Sequence, residues 1–342
     1  MGEFSLDKGL ASFQASLTSA FQAVDKEGMR LIPLVQSGSK WSMHWKAVDK
    51  NIAMNAMKNG RGCPSWSAGD THMEQAYRSM ISSMRQAYAD AGLPYPLEYV
   101  HIGHDEATET KTVGLLIGNG ESEYSEFDRS YIRARMAEGD GAQMAFQKIM
   151  SGEIYRRVKV VQDSLGGNVK VLIHGDMWDP QANGGNPQKT FLESEEKKVS
   201  VRIAPNGAAW MGIAALPGLS AEQKTFLKQH LVVMPWIYAR TWKPSPDGDE
   251  EYKPDVTFAY LAGNGFSVVY EGAVTTGDNP LNNGAIEAIH KYARAAERRP
   301  NGILGFASMH WGASGYDTSV NCWKTMEYMV EANRREETAA IP

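Results

Sequence analysis

Two adjacent carboxylates, Asp105 and Glu106, close the segment His101-Ile102-Gly103-His104-Asp105-Glu106, directly after the short run Leu97-Glu98-Tyr99-Val100. Tyr99, Val100 and Ile102 suit a buried strand, and Gly103 permits a bend where the polar cluster begins. Carboxyls this close do not titrate alike in a cleft. Repulsion and burial raise one pKa and leave the other group ionised, which separates a proton donor from an anionic stabiliser. A second constellation consists of His101, His104, His174 and His310, near Asp105, Glu106, Asp176 and Asp179. Imidazoles and carboxylates gathered at one mouth can bind a divalent cation. No His-x-His or His-x-x-x-His spacing accompanies them, so no metal ligand is assigned. Trp178, Trp236 and Trp311 each follow an apolar run, where an aromatic wall for a ligand belongs; the remaining tryptophans read as packing residues. Met54, Met57, Met80 and Met84 sit at helical spacing and read as core.

Six apolar runs must position these groups: 29–35, 97–103, 169–174, 231–236, 266–270 and 303–309. Each ends in or near Gly, His, Asp or Trp, as a strand does when it opens into a loop. Amphipathic helices are expected between and around them over 5–26, 70–91, 143–162, 220–230, 283–298 and 319–334. Gly28 and Gly92 stand where two of these helices should stop. Strand-helix alternation implies an α/β fold with parallel strands, either a doubly wound sheet or a (β/α)8 TIM-barrel-like fold. No Gly-x-Gly-x-x-Gly follows the first strand, which favours the barrel and leaves no cofactor indicated. Six strands are two short of eight, so the barrel is expected to be incomplete or atypical at its N-terminus. The segments 113–117, 199–203 and 256–261 are reserve strands, read more readily as excursions on loops.

With the Asp-Glu pair on one strand and aromatics on later ones, the chain resembles the family 20 glycoside hydrolases, the β-N-acetylhexosaminidases. Their His-x-Gly-Gly-Asp-Glu motif is matched by His101-Ile102-Gly103-His104-Asp105-Glu106, with His104 in place of the second glycine. Gly28-Met29-Arg30-Leu31-Ile32-Pro33 looks like the family's third strand, and the likeness runs in order over roughly residues 10–330, with the first two strands falling before residue 1. The resemblance implies a retaining, substrate-assisted reaction in which the 2-acetamido oxygen attacks the anomeric carbon. By position Glu106 is then the general acid/base and Asp105 orients the acetamido nitrogen. Trp178, Trp236 and Trp311 would wall the subsite, Tyr270 would hold the acetamido oxygen, and His104 and Asp176 would be further substrate contacts. The chain departs from the pattern at Ala313, where the family has a hydroxyl-binding Glu, and at Ser37-Gly38-Ser39-Lys40, where it has Pro-Gly-His. The substrate clamp is therefore not the family's, which points to a different sugar, an endo-acting specificity or lost catalysis.

Composition is ordinary for a globular protein: 42% hydrophobic, 22% charged and a net charge of -5. The acidic balance argues against a nucleic-acid surface, and no run of about 18 apolar residues suggests a membrane helix. Cys63 and Cys322 alone give no disulfide framework. Residues 1–342 read as one domain with a carbohydrate substrate as partner. Met1-Gly2-Glu3-Phe4 reads as a vector-derived start in place of a leader, so an extracytoplasmic or secreted setting stays open. Beside the glycosidase reading stand a non-catalytic glycan-binding barrel and a metal-dependent hydrolase.

Overall fold

A computed structural model of the chain describes residues 6–35, 71–103, 137–139, 142–175, 178, 213–237, 260–275 and 303–311. Its helices are α1 (Leu6–Lys26), α2 (Thr71–Ala91), α3 (Ala142–Leu165) and α4 (Ala221–His230); its strands are β1 (Tyr99–His101), β2 (Lys170–His174), β3 (Leu231–Met234), β4 (Trp236–Ile237), β5 (Ser267–Thr275) and β6 (Ile303–Trp311). The expected helices 283–298 and 319–334 and the reserve strands 113–117 and 199–203 lie outside the described residues. Of the third reserve segment, residues 260 and 261 are helical.

Apolar spacing decides which faces the helices bury. On α2, Tyr77, Met80, Ile81, Met84 and Ala87 recur at helical period and all are buried, with Phe21 of α1 packed edge to face against Tyr88 at 5.1 Å. Both helices stop at glycines with positive φ, Gly28 at 72° and Gly92 at 66°, a conformation that costs glycine little. Helix α4 starts with a capping box: Gln223 N–H donates to Ser220 Oγ at 3.3 Å, and Ser220 N–H donates to Gln223 Oε1 at 2.9 Å. A cap of this kind stabilises by about 1 kcal/mol. The helix runs straight into β3.

All pairings are parallel, and the order β1-β2-β3-β5, with β6 on the far side of β5, follows the order in the chain. A doubly wound sheet reverses direction at a switch point; a sequential order with right-handed crossovers keeps the helices on one side and curls the sheet toward a barrel. The fold is α/β and TIM-barrel-like.

Residues 29–35 do not form the regular first strand expected of them. They reach the edge of β1 through a single bridge, Leu34 to His101, supported by Val35 N–H to the His101 carbonyl at 2.8 Å and His101 N–H to the Pro33 carbonyl at 2.9 Å. Pro33 has no N–H to continue a ladder. Pro235 interrupts the expected strand 231–236 in the same way, dividing it into β3 and β4. In the other direction β5 runs five residues past Tyr270, because β4 and β6 pair with it as far as Gly272 and Thr275.

The two faces of the sheet are buried unequally. Val100, Val171, Ile173, Val233 and Val268 are completely buried, as expected of the face that the helices cover. At the alternate positions Leu172, Val232 and Met234 form a cluster with the half-buried Tyr99 and Val269. This second face is the inner one.

Candidate active site at the C-terminal strand ends

The strand register fixes which residues share a level on the inner face. His101 is level with Leu172, Val232 and Ser267; His174 is level with Met234. The next level up holds Trp236 opposite Glu271 and Glu271 opposite Ala307. Higher still, Thr275 stands opposite Trp311. One step along the inner parity advances about 6.6 Å. Apolar packing thus gives way to imidazole, carboxylate and indole residues within three or four levels, at the end of the sheet where barrels hold their chemistry.

Two of the expected groups meet here. The rings of His101 and His174 lie 4.5 Å apart and tilted by 58°. Gly103 N–H donates to His101 Nδ1 at 2.8 Å. A nitrogen that accepts a hydrogen bond carries no proton, so the neutral His101 ring bears its proton on Nε2. That tautomer leaves no lone pair for a cation, which weighs against His101 as a metal ligand. Among the described residues no group of three or more His, Cys, Asp and Glu converges as a metal site would require.

Gly103 does what its position suggested. Its φ is +65°, and its carbonyl accepts His174 N–H at 3.0 Å, so the chain stays tied to β2 at the point where it leaves β1. His104, Asp105, Glu106 and Asp176 lie outside the described residues. Gly175 makes a second fixed point. Its N–H donates to the Met234 carbonyl at 2.7 Å, and a Cβ at this position would stand 2.5 Å from Pro235 Cα. The end of β2 and the β3–β4 junction therefore touch backbone to backbone, immediately beside Trp236.

One of the expected substrate contacts takes another place. Trp178 is completely buried, its ring edge to face with Phe266 at 5.0 Å, and Phe266 immediately precedes β5. Its Nε1 has no hydrogen-bond partner among the described residues. The ring offers no open face to a sugar and serves as packing under the strand ends. Tyr270 shares the parity of Val268, alternate to the inner one, and so does His310, which pairs with Val274. Trp236 and Trp311 remain at inner positions. Glu271, which sequence reading passed over as the end of a strand, is at an inner position too. The signal that could have found it is the β-favouring pair Val274-Thr275 that follows.

The resolved shifts in protonation lie at the other end of the sheet. Burial, and behind it the Lys170 cation, holds His230 below the usual histidine range, immediately before β3. Burial raises Tyr88, and burial and then the bond to Asp25 raise Tyr95, whose ring also stacks under Arg30 at 4.4 Å. Perturbation at the N-terminal ends of barrel strands reads as stability.

No protein-family model and no curated protein matches the sequence. Among solved structures the chain is similar to the catalytic domain of the β-amylase from Paenibacillus polymyxa, at 12% identity and a TM-score of 0.49, over 85% of this chain and 79% of that one. It is also similar to a sugar phosphate isomerase/epimerase from Parabacteroides distasonis ATCC 8503, at 12% identity and a TM-score of 0.41, over 92% and 76%.

Proposed function

We propose that the protein is a glycoside hydrolase acting on N-acetylhexosamine-containing glycans by a retaining, substrate-assisted mechanism. What carries the reading is the sequence His101-Ile102-Gly103-His104-Asp105-Glu106, which begins in the last residue of a parallel strand and passes through Gly103 at a φ of +65°. In this mechanism the acetamido oxygen of the substrate attacks C1 as the C1–O bond breaks, and Glu106 gives its proton to the leaving oxygen. Asp105 accepts the acetamido N–H and stabilises the positive charge that develops on the oxazolinium ring. Glu106, now a carboxylate, takes a proton from the water that opens that ring and returns the β-configured sugar. Trp236 and Trp311, at inner positions, supply apolar faces for sugar C–H groups and exclude water. His104 and Asp176 remain as further substrate contacts. Trp178 packs against Phe266, and Tyr270 stays in the proposal as the hydrogen-bond donor to the acetamido oxygen.

Hydrolysis of N-acetyl-β-glucosaminide and N-acetyl-β-galactosaminide disaccharides tests the reading. Glu106→Gln should lower kcat by about 10²–10⁴-fold, the usual contribution of a positioned acid, while product binding is kept. Turnover undiminished in that variant, or turnover abolished by a chelator in the parent, would overturn it.

A further inference from the structure

Helix α4 ends at His230 and β3 begins at Leu231, so this histidine sits on the joint itself, with no loop to absorb a movement. Its ring lies on that of Phe226, one turn earlier, with centroids 4.7 Å apart and a tilt of 48°, and Phe226 meets Tyr155 of α3 edge to face at 5.6 Å. Leu227 and Leu231, beside it in the chain, are buried. Nδ1 of His230 is buried too and has no hydrogen-bond partner among the described residues. A helix C-terminus ordinarily favours an imidazolium, because its last carbonyls carry partial negative charge. Here another cation holds that place: Lys170, the first residue of β2, donates from Nζ to the Gln229 carbonyl. The titratable groups that the neighbouring elements bring up are Lys170 from β2, Tyr155 from α3 and, within α4, Lys224 and Lys228; β3 carries none. The carboxylate of α4, Glu222, is two turns away and accepts from Ser220 Oγ.

We propose that the joint at His230 is an acid-sensitive latch: a neutral imidazole keeps α4 seated on α3 and continuous with β3, and a second ring proton unseats it. An imidazolium has two N–H donors and a full charge. In this place Nδ1 meets no acceptor, and the Lys170 cation opposes the charge. Burial first and Lys170 second hold His230 below the usual histidine range, as that geometry requires. The ring escapes the penalty by turning out into water, which takes it off Phe226 and removes the stack that ties the last turn of α4 to α3. Opening then begins four residues before Met234, whose carbonyl holds the Gly175 N–H at the end of β2. Folded chains resist the proton, whereas unfolded chains accept it near the ordinary value of about 6.5. Stability is therefore complete above that pH, falls as pH drops through the interval below it, and levels off once folded chains are protonated as well.

The test combines denaturant unfolding of the full chain, His230→Gln and Lys170→Gln across a pH series with NMR titration of the histidine ring protons. The resonance absent from His230→Gln, or from His230→Phe should the first variant fail to fold, belongs to His230. In the parent it should titrate below the ordinary histidine range, and in Lys170→Gln it should move up toward that range. Over the same interval the folding equilibrium of the parent should fall more steeply with acid than that of the His230 variant, by at most about tenfold per pH unit, the limit for one proton. Hydrogen exchange of the β3 amides should quicken there in the parent and not in the variant. The latch is overturned if His230 in the folded chain titrates at or above the ordinary range. It is overturned equally if parent and variant lose stability in parallel, because other groups then carry the acid response. Exchange in β3 that stays unchanged while the ring takes up its proton overturns it as well, since the joint then holds with the histidine charged.

Discussion

Replacing Gly175 by Ala should damage the site by moving backbone, with no functional group removed. The added Cβ would stand 2.5 Å from Pro235 Cα, 2.6 Å from Pro235 N and 2.9 Å from the Met234 carbonyl carbon. Comfortable carbon contacts are about 3.5–4.0 Å, so the two strand ends must separate by about 1 Å. Neither side of this contact is a flexible side chain that can swing aside. Overpacking of this kind costs about 1–3 kcal/mol, and straining the 2.7 Å bond from Gly175 N–H to the Met234 carbonyl adds about 1 kcal/mol. A loss of about 2–4 kcal/mol lowers Tm by about 3–6 °C in a chain of this size. Because Trp236 follows Pro235 directly, sugar affinity should fall even well below the melting temperature. Gly152→Ala is the matched control. Gly152 lies within α3 with nothing within 4 Å of an added Cβ, so alanine there should be neutral or stabilising by up to about 1 kcal/mol. Calorimetric melts of the two variants decide the matter: a Gly175→Ala protein melting within about 1 °C of the parent would refute the close approach of β2 to the β3–β4 junction.

Gly103→Ala forces an L residue to a φ of +65°, which costs about 1–2 kcal/mol, and should lower kcat as well as the melting temperature, since Gly103 stands three residues before Glu106 in the chain; Gly103→Asn should be milder, because Asn tolerates this region. Paired melting and kinetic measurements check both. On α3, Glu153 and Arg157 form an ion pair at 3.3 Å with side chains 2% and 1% exposed. Glu153→Ala should destabilise the chain in denaturant unfolding by about 3 kcal/mol by taking a carboxylate from a buried guanidinium, and the double change Glu153→Leu with Arg157→Met should recover most of that.

The helices were legible because each is decided locally. Apolar spacing defined the buried face of α2, Ser220 marked the start of α4, and Gly28 and Gly92 marked two ends; all lie within a turn or so of the residues they govern. The strands were legible as apolar runs, but their limits were not, because pairing partners set them. Pro33 and Pro235 each remove one N–H and shorten the regular ladder, whereas β4 and β6 extend β5 through Glu271 and Gly272, where composition alone suggests a stop. That extension hid Glu271. Trp236 and Trp311 fall at inner positions of the register, whereas Trp178 is completely buried. The reason is Gly175, whose contact with Pro235 fixes the chain before it reaches Trp178, and Phe266 is what the indole meets. The contact of His101 with His174 needed the register, since 73 residues of chain separate two rings that lie 4.5 Å apart.

Where polarity falls on the inner face argues that the mouth is a working surface. A barrel held together only by its core has every reason to keep its inner layers apolar, since each Leu or Val buried there contributes about 1.5–3 kcal/mol and each stranded polar group costs about as much. The level of Leu172 and Val232, which share one cluster, already carries His101 and Ser267. Above it the same parity carries His174 beside Met234, Trp236 beside Glu271, Ala273 beside Met309, and Thr275 beside Trp311. At the opposite end Arg30, Glu98, Asp25 and Tyr95 are paired among themselves. Polar residues therefore run along the inner parity from the middle of the sheet to its C-terminal end, the end at which the proposed site would stand.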